Sequence, residues 1–218
     1  MSHHPATVTE IEELAPQVLQ LTVAVNDGEL RFRPGQWVNF RFPEGVSRAY
    51  TIASAPQRPE AVQLCVRVGV GKGAEALRKL EPGAAVSIDG PFGDFLLPEN
   101  DGRDVVLMGG DTGIAPVRSI VLHMLAEKDP RGIVVLYEPD ARHILYAADF
   151  DPLARSGQIT HLSGRIETLL QRNRRAVSES ALMAAGFDPF LERVQKTLGE
   201  LEIDASALIT ESFGAQPV

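Results

Sequence analysis

The sequence contains almost no cysteine and no long apolar segment. Cys65 is the single cysteine among 218 residues, so the chain can form no internal disulfide and can supply no set of thiolates for an iron–sulfur cluster. No stretch has the apolar length of a secretion signal core or of a membrane span. The expected location is therefore the cytoplasm, where a lone thiol stays reduced.

Positive charge is also scarce. The chain has 21 Lys and Arg residues against 29 Asp and Glu residues, which gives a net charge of −8. This excess of acid argues against nonspecific binding to nucleic acid and against attachment to an anionic membrane. The pair His3-His4 is too short for a metal-binding tract, and no metal site is predicted. With 44% hydrophobic and 23% charged residues, the composition is that of an ordinary globular protein with one large or two small domains.

Residues 1–99 are predicted to form antiparallel β-structure. Apolar and polar residues alternate with the period of a half-buried strand. The predicted strands lie at 19–25, 30–42, 62–68 and 84–88. Asn26-Asp27-Gly28 is a turn signal, and one helix is expected at 74–80, after the glycine-rich segment 69–73. Short strands separated by turns indicate a small barrel or sandwich.

The pattern changes near residue 100, and residues 100–218 are predicted to form a second domain. The polar, turn-forming residues 98–102 mark the boundary. Beyond it, continuous apolar runs are typical of strands buried on both faces of a parallel sheet, and they alternate with apolar residues at helical spacing. The predicted strands lie at 105–108, 133–136, 158–162, 180–185 and 208–213. The predicted helices lie at 114–124, at 166–172 and from 188 onwards, with Asp188 as the cap of the last one. This alternation predicts a doubly wound α/β domain.

The segment Arg48-Ala49-Tyr50-Thr51 is the strongest indication of function in the sequence. On a strand, Arg48 and Tyr50 project to one face while Thr51 projects to the other. A flavin site needs a guanidinium for phosphate, a flat ring that stacks, and a hydrogen-bonding group near the isoalloxazine. Taken alone, four residues favour an ordinary edge strand with a surface arginine and a half-buried tyrosine.

Five segments, taken in order, resemble the ferredoxin–NADP reductase superfamily of flavin- and nicotinamide-dependent oxidoreductases. They are Pro34-Gly35-Gln36-Trp37 in a barrel turn, Arg48-Ala49-Tyr50-Thr51 as the flavin motif, Gly90-Pro91-Phe92-Gly93-Asp94-Phe95 closing the barrel, Thr112-Gly113-Ile114-Ala115-Pro116 as the nucleotide-binding turn, and Glu211-Ser212-Phe213-Gly214 in the C-terminal strand. The resemblance covers nearly the whole chain. It implies a two-domain fold, in which an antiparallel β-barrel that binds FAD (1–99) is followed by a doubly wound α/β domain that binds NAD(P) (100–218).

The resemblance implies roles for residues of the flavin half. Arg48 would pair with the pyrophosphate, which favours FAD over FMN. Tyr50 would stack on the isoalloxazine, and Thr51 would lie near the flavin N5 as a catalytic residue. The helix start Gly71-Lys72-Gly73-Ala74 would offer backbone N–H groups to the pyrophosphate. Ala74 replaces a Ser or Thr of the family, for which Lys72 could compensate. Two further residues are implied to contact the cofactor, namely Ala49 and Val66.

The nucleotide half departs more from the family. Asp111 replaces a glycine in the turn of Gly110, Asp111, Thr112 and Gly113, so that a carboxylate would face the phosphates of the dinucleotide. Glu138 also replaces a glycine, and it is expected to accept hydrogen bonds from ribose hydroxyls and to disfavour a 2′-phosphate, which predicts NADH over NADPH. Arg142 and the group at 172, 174 and 175 are the alternative phosphate ligands, although a solvated basic face is the simpler interpretation.

The C-terminal residues would lie near the nicotinamide. Ala185-Gly186-Phe187 replaces the family's Cys-Gly-Pro, so Gly186 is retained while the thiol is lost. Glu211 either relays a proton, as a catalytic residue, or closes the end of a strand. Phe213 either shields the flavin or packs in the core.

The function implied by the resemblance is that of a flavoenzyme. It would take a hydride from NADH or NADPH onto FAD and pass electrons to a separate redox partner protein or to a small acceptor, because the chain has no cysteines for its own cluster. One alternative is a siderophore-interacting ferric reductase. The other is a flavin-binding electron-transfer or regulatory subunit with a weakened nicotinamide site, which Asp111 and Ala185 favour.

Overall fold

The computed structural model describes residues 2–99, 101–140 and 143–215. The chain divides into two compact units. Of the described residues, the first unit contains 2–96 together with Arg118–Ala126, and the second contains Leu97–Val117 and those within 127–215. Within the described ranges, no helix combines the length and the apolar character needed to cross a lipid bilayer.

The first unit is built on a six-stranded antiparallel sheet. Its strands are β1 (Ser2–Ala15), β2 (Val18–Val25), β3 (Trp37–Arg41), β4 (Ser47–Thr51), β5 (Ala61–Arg67) and β6 (Ala85–Phe92), and one helix, α1 (Lys72–Arg78), lies between β5 and β6. The spatial order is β4-β3-β6-β1-β2-β5. An antiparallel bridge between Ile52 and Leu64 joins the two ends of this order. The predicted antiparallel barrel is therefore confirmed.

The alternating pattern of the sequence becomes the core of this barrel. Leu21 and Val23 of β2 and Val62 and Leu64 of β5 are fully buried, and the two strands pair with Leu21 opposite Leu64. The long first strand β1 was not predicted, because its mostly polar sequence has no clear period of two.

The strand predicted at 30–42 is much shorter than expected. Only Trp37–Arg41 pairs as β3. Leu30 and Phe32 are nevertheless buried, because the chain turns inward before β3. At the turn, Gly35 has a φ of +98°, and a Cβ placed on it would lie 1.9 Å from the carbonyl oxygen of Phe95. Only glycine fits this close approach.

The second unit contains a five-stranded parallel sheet. Its strands are β7 (Val105–Gly110), β8 (Ile133–Glu138), β9 (Thr160–Ser163), β10 (Ala181–Gly186) and β11 (Ile209–Ser212), in the order β11-β10-β7-β8-β9. The helices are α2 (Ile114–Ala126), α3 (Ala147–Arg155), α4 (Ile166–Arg172), α5 (Arg174–Glu179) and α6 (Asp188–Glu200), and α2 continues into the first unit. The direction of winding reverses between β7 and β10, which confirms the predicted doubly wound topology.

Two features of the helices differ from the prediction. Helices α3 and α5 were not expected; α3 contains Pro152, a helix breaker in a sequence pattern, and α5 has only 6 residues. Asp188 does not cap α6. It is the first helical residue, with Phe187 at the cap position and no side-chain cap, and its carboxylate accepts a hydrogen bond from the Ser212 hydroxyl.

Candidate functional site

Strand β4 presents the predicted flavin motif. Tyr50 lies opposite Val38 of β3, and its half-buried ring is next to Phe40 and Phe42, with ring centroids 5.9 and 6.4 Å apart. Burial raises the pKa of Tyr50 to about 12, although the positive charge of Arg48 acts in the opposite direction. The phenol therefore stays neutral at physiological pH and keeps its O–H donor.

The rest of the motif divides between surface and interior. Arg48 and Ala49 are exposed, whereas Thr51 is only 8% exposed and lies opposite Trp37. Arg48 donates a hydrogen bond from Nη1 to the carbonyl oxygen of Ser47 over 2.8 Å. The strand thus offers Arg48 at the surface, while the ring of Tyr50 is half-buried against the barrel core.

The structure brings Arg48 against the glycine-rich start of helix α1. A Cβ placed on Gly73 would lie 2.5 Å from Nε of Arg48, so the missing side chain of Gly73 is what leaves room for the guanidinium. Gly71 precedes the helix with a φ of +82°, a left-handed conformation that glycine adopts without strain. A cation and the first backbone N–H groups of a helix therefore converge, which is an arrangement suited to a phosphate.

The other residues predicted for the flavin half lie in different environments. Lys72 is exposed on α1, while Ala74 is 5% exposed and packs inward. The side chain of Val66 is buried in the barrel core at 1% exposure, and its backbone pairs with Leu19 of β2. Only Lys72 of these three offers its side chain to a ligand in solution.

In the second unit, the turn after β7 is tightly packed. Strand β7 ends at Gly110, and Asp111–Gly113 forms one 3₁₀ turn that leads into α2. A Cβ on Gly113 would lie 2.0 Å from the carbonyl oxygen of Ala185. Asp111 has a left-handed φ of +53°, and both it and Thr112 are buried. The four predicted turn residues are therefore adjacent to the end of strand β10.

Phe190 of helix α6 covers the ends of two strands. A Cβ on Gly110 would lie 2.4 Å from Cγ of Phe190, and a Cβ on Gly186 would lie 2.9 Å from Cδ1 of the same ring. The ring can lie there only because both strands end in glycine. Ala185 is fully buried, so its methyl group packs inside the protein, and Glu211 lies opposite it in β11.

A cavity of about 110 Å³ lies at the carboxyl ends of β7, β8 and β10. It is lined by Gly110, Asp111, Glu138, Pro139, Asp140, Phe187, Pro189, Phe190 and Arg193. In doubly wound sheets, ligands bind outside the carboxyl ends of the strands, at the point where the winding reverses. The cavity is therefore the candidate nucleotide site of the second unit.

Glu138 is not the isolated acid that the sequence suggested. Both of its carboxylate oxygens bind Arg193, Oε1 to Nη2 and Oε2 to Nη1, the latter over 3.1 Å. Oε2 also accepts a hydrogen bond of 2.6 Å from the backbone N–H of Ile166, the first residue of α4. Sequence reasoning missed Arg193, because no local pattern links a residue of helix α6 to the end of strand β8.

The alternative phosphate ligands lie elsewhere or cannot be placed. Arg142 lies outside the described residues. Arg174 donates to the carbonyl oxygen of Leu201 over 2.9 Å, and Arg175 pairs with Glu179 over 3.2 Å. Where the chain is described, the lining of the cavity contains none of the arginines at 172, 174 and 175.

Phe213 follows β11 and packs within the second unit. Its ring meets that of Phe187 edge to face at 5.8 Å, and its backbone N–H donates to the carbonyl oxygen of Gly186 over 2.9 Å. It is half-buried. No group of three or more metal-ligating side chains is found in the described part of the chain.

The sequence of the first unit matches a known family. The model of the oxidoreductase FAD-binding domain matches residues 5–96. Ferredoxin–NADP reductase B of Sorangium cellulosum (strain So ce56) is 34% identical over 159 residues, which are 69% of this chain and 64% of that protein. The chain belongs to the ferredoxin–NADP reductase superfamily. This confirms the resemblance and the prediction of FAD as a cofactor.

Two further proteins are similar to this chain, one in sequence and one in structure. The phenol hydroxylase P5 protein of Acinetobacter pittii (strain PHEA-2) is 31% identical over 134 residues, 60% of this chain and 37% of that protein. The crystal structure of an Amycolatopsis cytochrome P450 reductase has a TM-score of 0.85 at 22% identity, covering 98% of this chain and 70% of that chain. This chain therefore shares the fold of these reductases and spans only part of the relatives that it matches.

Proposed function

We propose that this chain is an NAD(P)H-dependent flavoprotein reductase that passes electrons from a nicotinamide dinucleotide, through FAD, to a separate acceptor. The observation that carries the proposal is the position of the Arg48 guanidinium over Gly73 at the start of α1, inside the segment that matches the FAD-binding domain family. Bound FAD would supply hydride acceptance at N5 and electron release.

The residues of the first unit are proposed to hold FAD within 1–99. Arg48 and the backbone of residues 71–74 would bind the pyrophosphate, because a planar guanidinium and oriented N–H groups both suit phosphate oxygens. Tyr50 would stack on the isoalloxazine with its phenol neutral. Ala49, which is exposed on β4, would contact the same cofactor, whereas the buried Thr51 and Val66 would support the site from within the barrel.

The residues of the second unit are proposed to bind the dinucleotide within 100–218. Residues 110–113 would offer their turn to the phosphates, and Glu138 would meet the adenosine ribose. Gly186, Glu211 and Phe213 would complete the site at β10 and β11. Arg142 is proposed to contact the nucleotide as well.

The acceptor is proposed to be a separate protein or a small molecule in the cytoplasm. Cys65 is buried and is the one thiol of the chain, so the chain cannot ligate its own iron–sulfur cluster. Curated relatives include proteins named as reductase components of a phenol 2-monooxygenase and of a terephthalate 1,2-dioxygenase. These names favour a protein acceptor.

The test is anaerobic mixing of the FAD-loaded protein with NADH or NADPH while the absorbance of oxidised flavin is followed. We expect bleaching by a nicotinamide dinucleotide, and dithionite serves as the control for a reducible flavin. Ferredoxin, a quinone and a ferric chelate are then offered to the reduced protein in turn. Protein that binds neither FAD nor FMN would end the flavin assignment. Fast oxidation by the ferric chelate alone would favour the ferric reductase.

A second function is favoured by the acidic lining of the cavity. Asp111, Glu138 and Asp140 all lie in it, and carboxylates repel the phosphates of a dinucleotide. Under this alternative the chain is a flavin-binding electron-transfer subunit with inefficient nicotinamide use. If this alternative is correct, dithionite reduces the flavin at once in the same experiment, whereas neither NADH nor NADPH bleaches it.

A further inference from the structure

Glu138, Glu167 and Arg193 form a cluster beside the nucleotide cavity, which we call the carboxylate–arginine cluster. Arg193 pairs with both carboxylates, with Nη1 at 3.1 Å from Oε2 of Glu138 and at 3.1 Å from Oε1 of Glu167. All three side chains are partly exposed, at 35% for Arg193, 21% for Glu138 and 27% for Glu167. The cluster therefore lies where solvent and a ligand can reach it.

The hydrogen bonds of the cluster fix the position of Glu138. Its Oε2 accepts from Arg193 and from the N–H of Ile166, and its Oε1 accepts from Nη2 of Arg193. Because one bidentate partner and one backbone donor act together, the carboxylate is held in a single orientation.

Arg193 lines the cavity and has donor capacity beyond its hydrogen bonds to the described residues. Its Nε donates to the carbonyl oxygen of Pro189 over 3.3 Å, Nη1 donates to both glutamates, and Nη2 donates to Glu138. A guanidinium has five N–H donors, so one N–H of Nη2 has no acceptor among the described residues. Among those residues, Arg193 is also the single basic side chain in the lining of the cavity.

The position of the cluster is one that affects whether NAD or NADP binds. In a doubly wound sheet, an acid at the end of the second strand binds the ribose hydroxyls of NAD, and an arginine nearby accommodates the 2′-phosphate of NADP. Here strand β8 ends in Glu138, and an arginine is paired directly with that acid. The acid alone would repel a 2′-phosphate, whereas Arg193 offsets part of the negative charge of Glu138 and Glu167, with which it pairs.

We propose that Arg193 is a specificity-determining residue of the dinucleotide site: by offsetting the negative charge of Glu138 it allows the site to accept NADP(H) as well as NAD(H). The proposal rests on the proposed function, because it assumes that the cavity binds a nicotinamide dinucleotide. In this proposal the 2′-phosphate of NADP contacts Arg193 and not the arginines of α4 and α5.

The experiment is a calorimetric titration of the FAD-loaded protein with NAD⁺ and with NADP⁺, so that binding is measured without turnover. In the unmodified protein we expect dissociation constants for the two within about tenfold of each other. Arg193→Gln should weaken NADP⁺ binding by about tenfold or more while NAD⁺ changes by less than about threefold, as expected for one charge near a surface phosphate. Glu138→Gln should strengthen NADP⁺ binding by about tenfold, because it leaves Arg193 with one carboxylate fewer.

Three further measurements separate specificity from structure. The double variant should return the NAD⁺ to NADP⁺ ratio towards that of the unmodified protein, since the pair acts as a unit. Arg175→Gln removes an arginine from another Arg–Glu pair of the same unit and should leave both affinities unchanged. Thermal unfolding reports whether each variant is folded. If Arg193→Gln does not fold, Glu138→Gln alone decides, and the absence of a gain in NADP⁺ affinity overturns the proposal.

Different experimental outcomes would overturn the inference and the proposed function. Equal weakening of NAD⁺ and NADP⁺ by Arg193→Gln means that Arg193 only supports the fold, and it overturns the inference while the function stands. An unmodified protein that binds NAD⁺ but no NADP⁺ also overturns the inference. Failure of the unmodified protein to bind either dinucleotide overturns the proposed function together with the inference.

Discussion

The two candidate phosphate sites of this protein differ in charge. In the first unit, an exposed arginine lies over a glycine at the start of a helix. In the second unit, the cavity is lined by three carboxylates and by one arginine that already pairs with two glutamates. An available cation raises phosphate affinity, whereas carboxylates lower it. The difference agrees with the proposed function, in which FAD would stay bound while the dinucleotide would leave after every turnover.

The largest effect is expected from a methyl group added to the turn of the second unit. In Gly113→Ala the new Cβ meets the backbone carbonyl of Ala185 at 2.0 Å, which a strand in the middle of a sheet cannot move away from. We expect a loss of about 3 kcal/mol in the free energy of unfolding, measured by urea denaturation.

Gly73→Ala is the matched variant in the first unit. Its new Cβ meets the end of the Arg48 side chain at 2.5 Å, and that side chain can move. We expect a loss of about 1 kcal/mol or less, accompanied by weaker FAD binding. Equal losses of stability in the two variants would contradict the difference in packing between the two turns.

The next effect concerns the cation of the first unit. Arg48→Ala should raise the dissociation constant of FAD by about 10- to 100-fold, because a charge-assisted hydrogen bond to phosphate contributes about 1.5–3 kcal/mol. Fluorescence titration of the flavin-free protein with FAD measures this change. Arg31→Ala, which removes an exposed arginine of the same unit, is the control and should have no effect. An unchanged FAD affinity in Arg48→Ala would remove Arg48 from the phosphate site.

A smaller effect, this time a gain in nucleotide affinity, is expected when a charge is removed from the turn after β7 in the second unit. Asp111→Gly removes a carboxylate and places glycine at a left-handed φ of +53°, where it has no steric cost. We expect NAD⁺ to bind about three- to tenfold more tightly, and the gain should shrink in high salt because the charge is screened. If the affinity falls and the protein also loses stability, Asp111 is instead a structural part of its turn.

The smallest effect is a pH dependence confined to the second unit. Burial lowers the pKa of His161, although Asp151 at 3.9 Å from its Nδ1 acts in the opposite direction. Its Nε2 is buried without a hydrogen-bond partner among the described residues, and its ring packs against Phe150.

The neutral imidazole is therefore favoured in the folded state, and the unfolded chain binds a proton at higher pH than the folded chain does. Stability should be complete above the ordinary histidine pKa of about 6.5 and should fall as the pH decreases below it. His161→Gln should make the decrease between about pH 7 and pH 5 shallower in urea denaturation. The same slope in both proteins would assign the pH dependence to other groups.

Much of the fold could be predicted because the hydrophobic periods are clear. The alternation in β2 and β5 and the apolar runs of β7 and β8 gave strands close to the observed ones. Helix α6 begins at residue 188, as predicted, and buries Phe190, Leu191, Val194 and Leu198. Strand β1 was missed because its partners, β2 and β6, stabilise it through pairing and not through its own pattern.

The contacts of the candidate sites could be predicted less well. Arg48 and Gly73 were both expected near a phosphate. Only the folded barrel shows that the missing side chain of Gly73 leaves room for the guanidinium of Arg48. The pair of Glu138 with Arg193 joins residues far apart in sequence, so no spacing rule could indicate it. As a result, Glu138 was expected from the sequence to be an unpaired acid, whereas in the structure it pairs with Arg193.

The ring of Phe190 has a consequence for how this protein can change during evolution. It lies where side chains of Gly110 and Gly186 would be, so one aromatic residue constrains two positions on different strands. A mutation that adds a Cβ at either glycine is compatible with the fold only after a smaller residue replaces Phe190. In an alignment of relatives, these three positions should therefore covary as a set, and a relative with a side chain at position 110 should have a small residue at position 190.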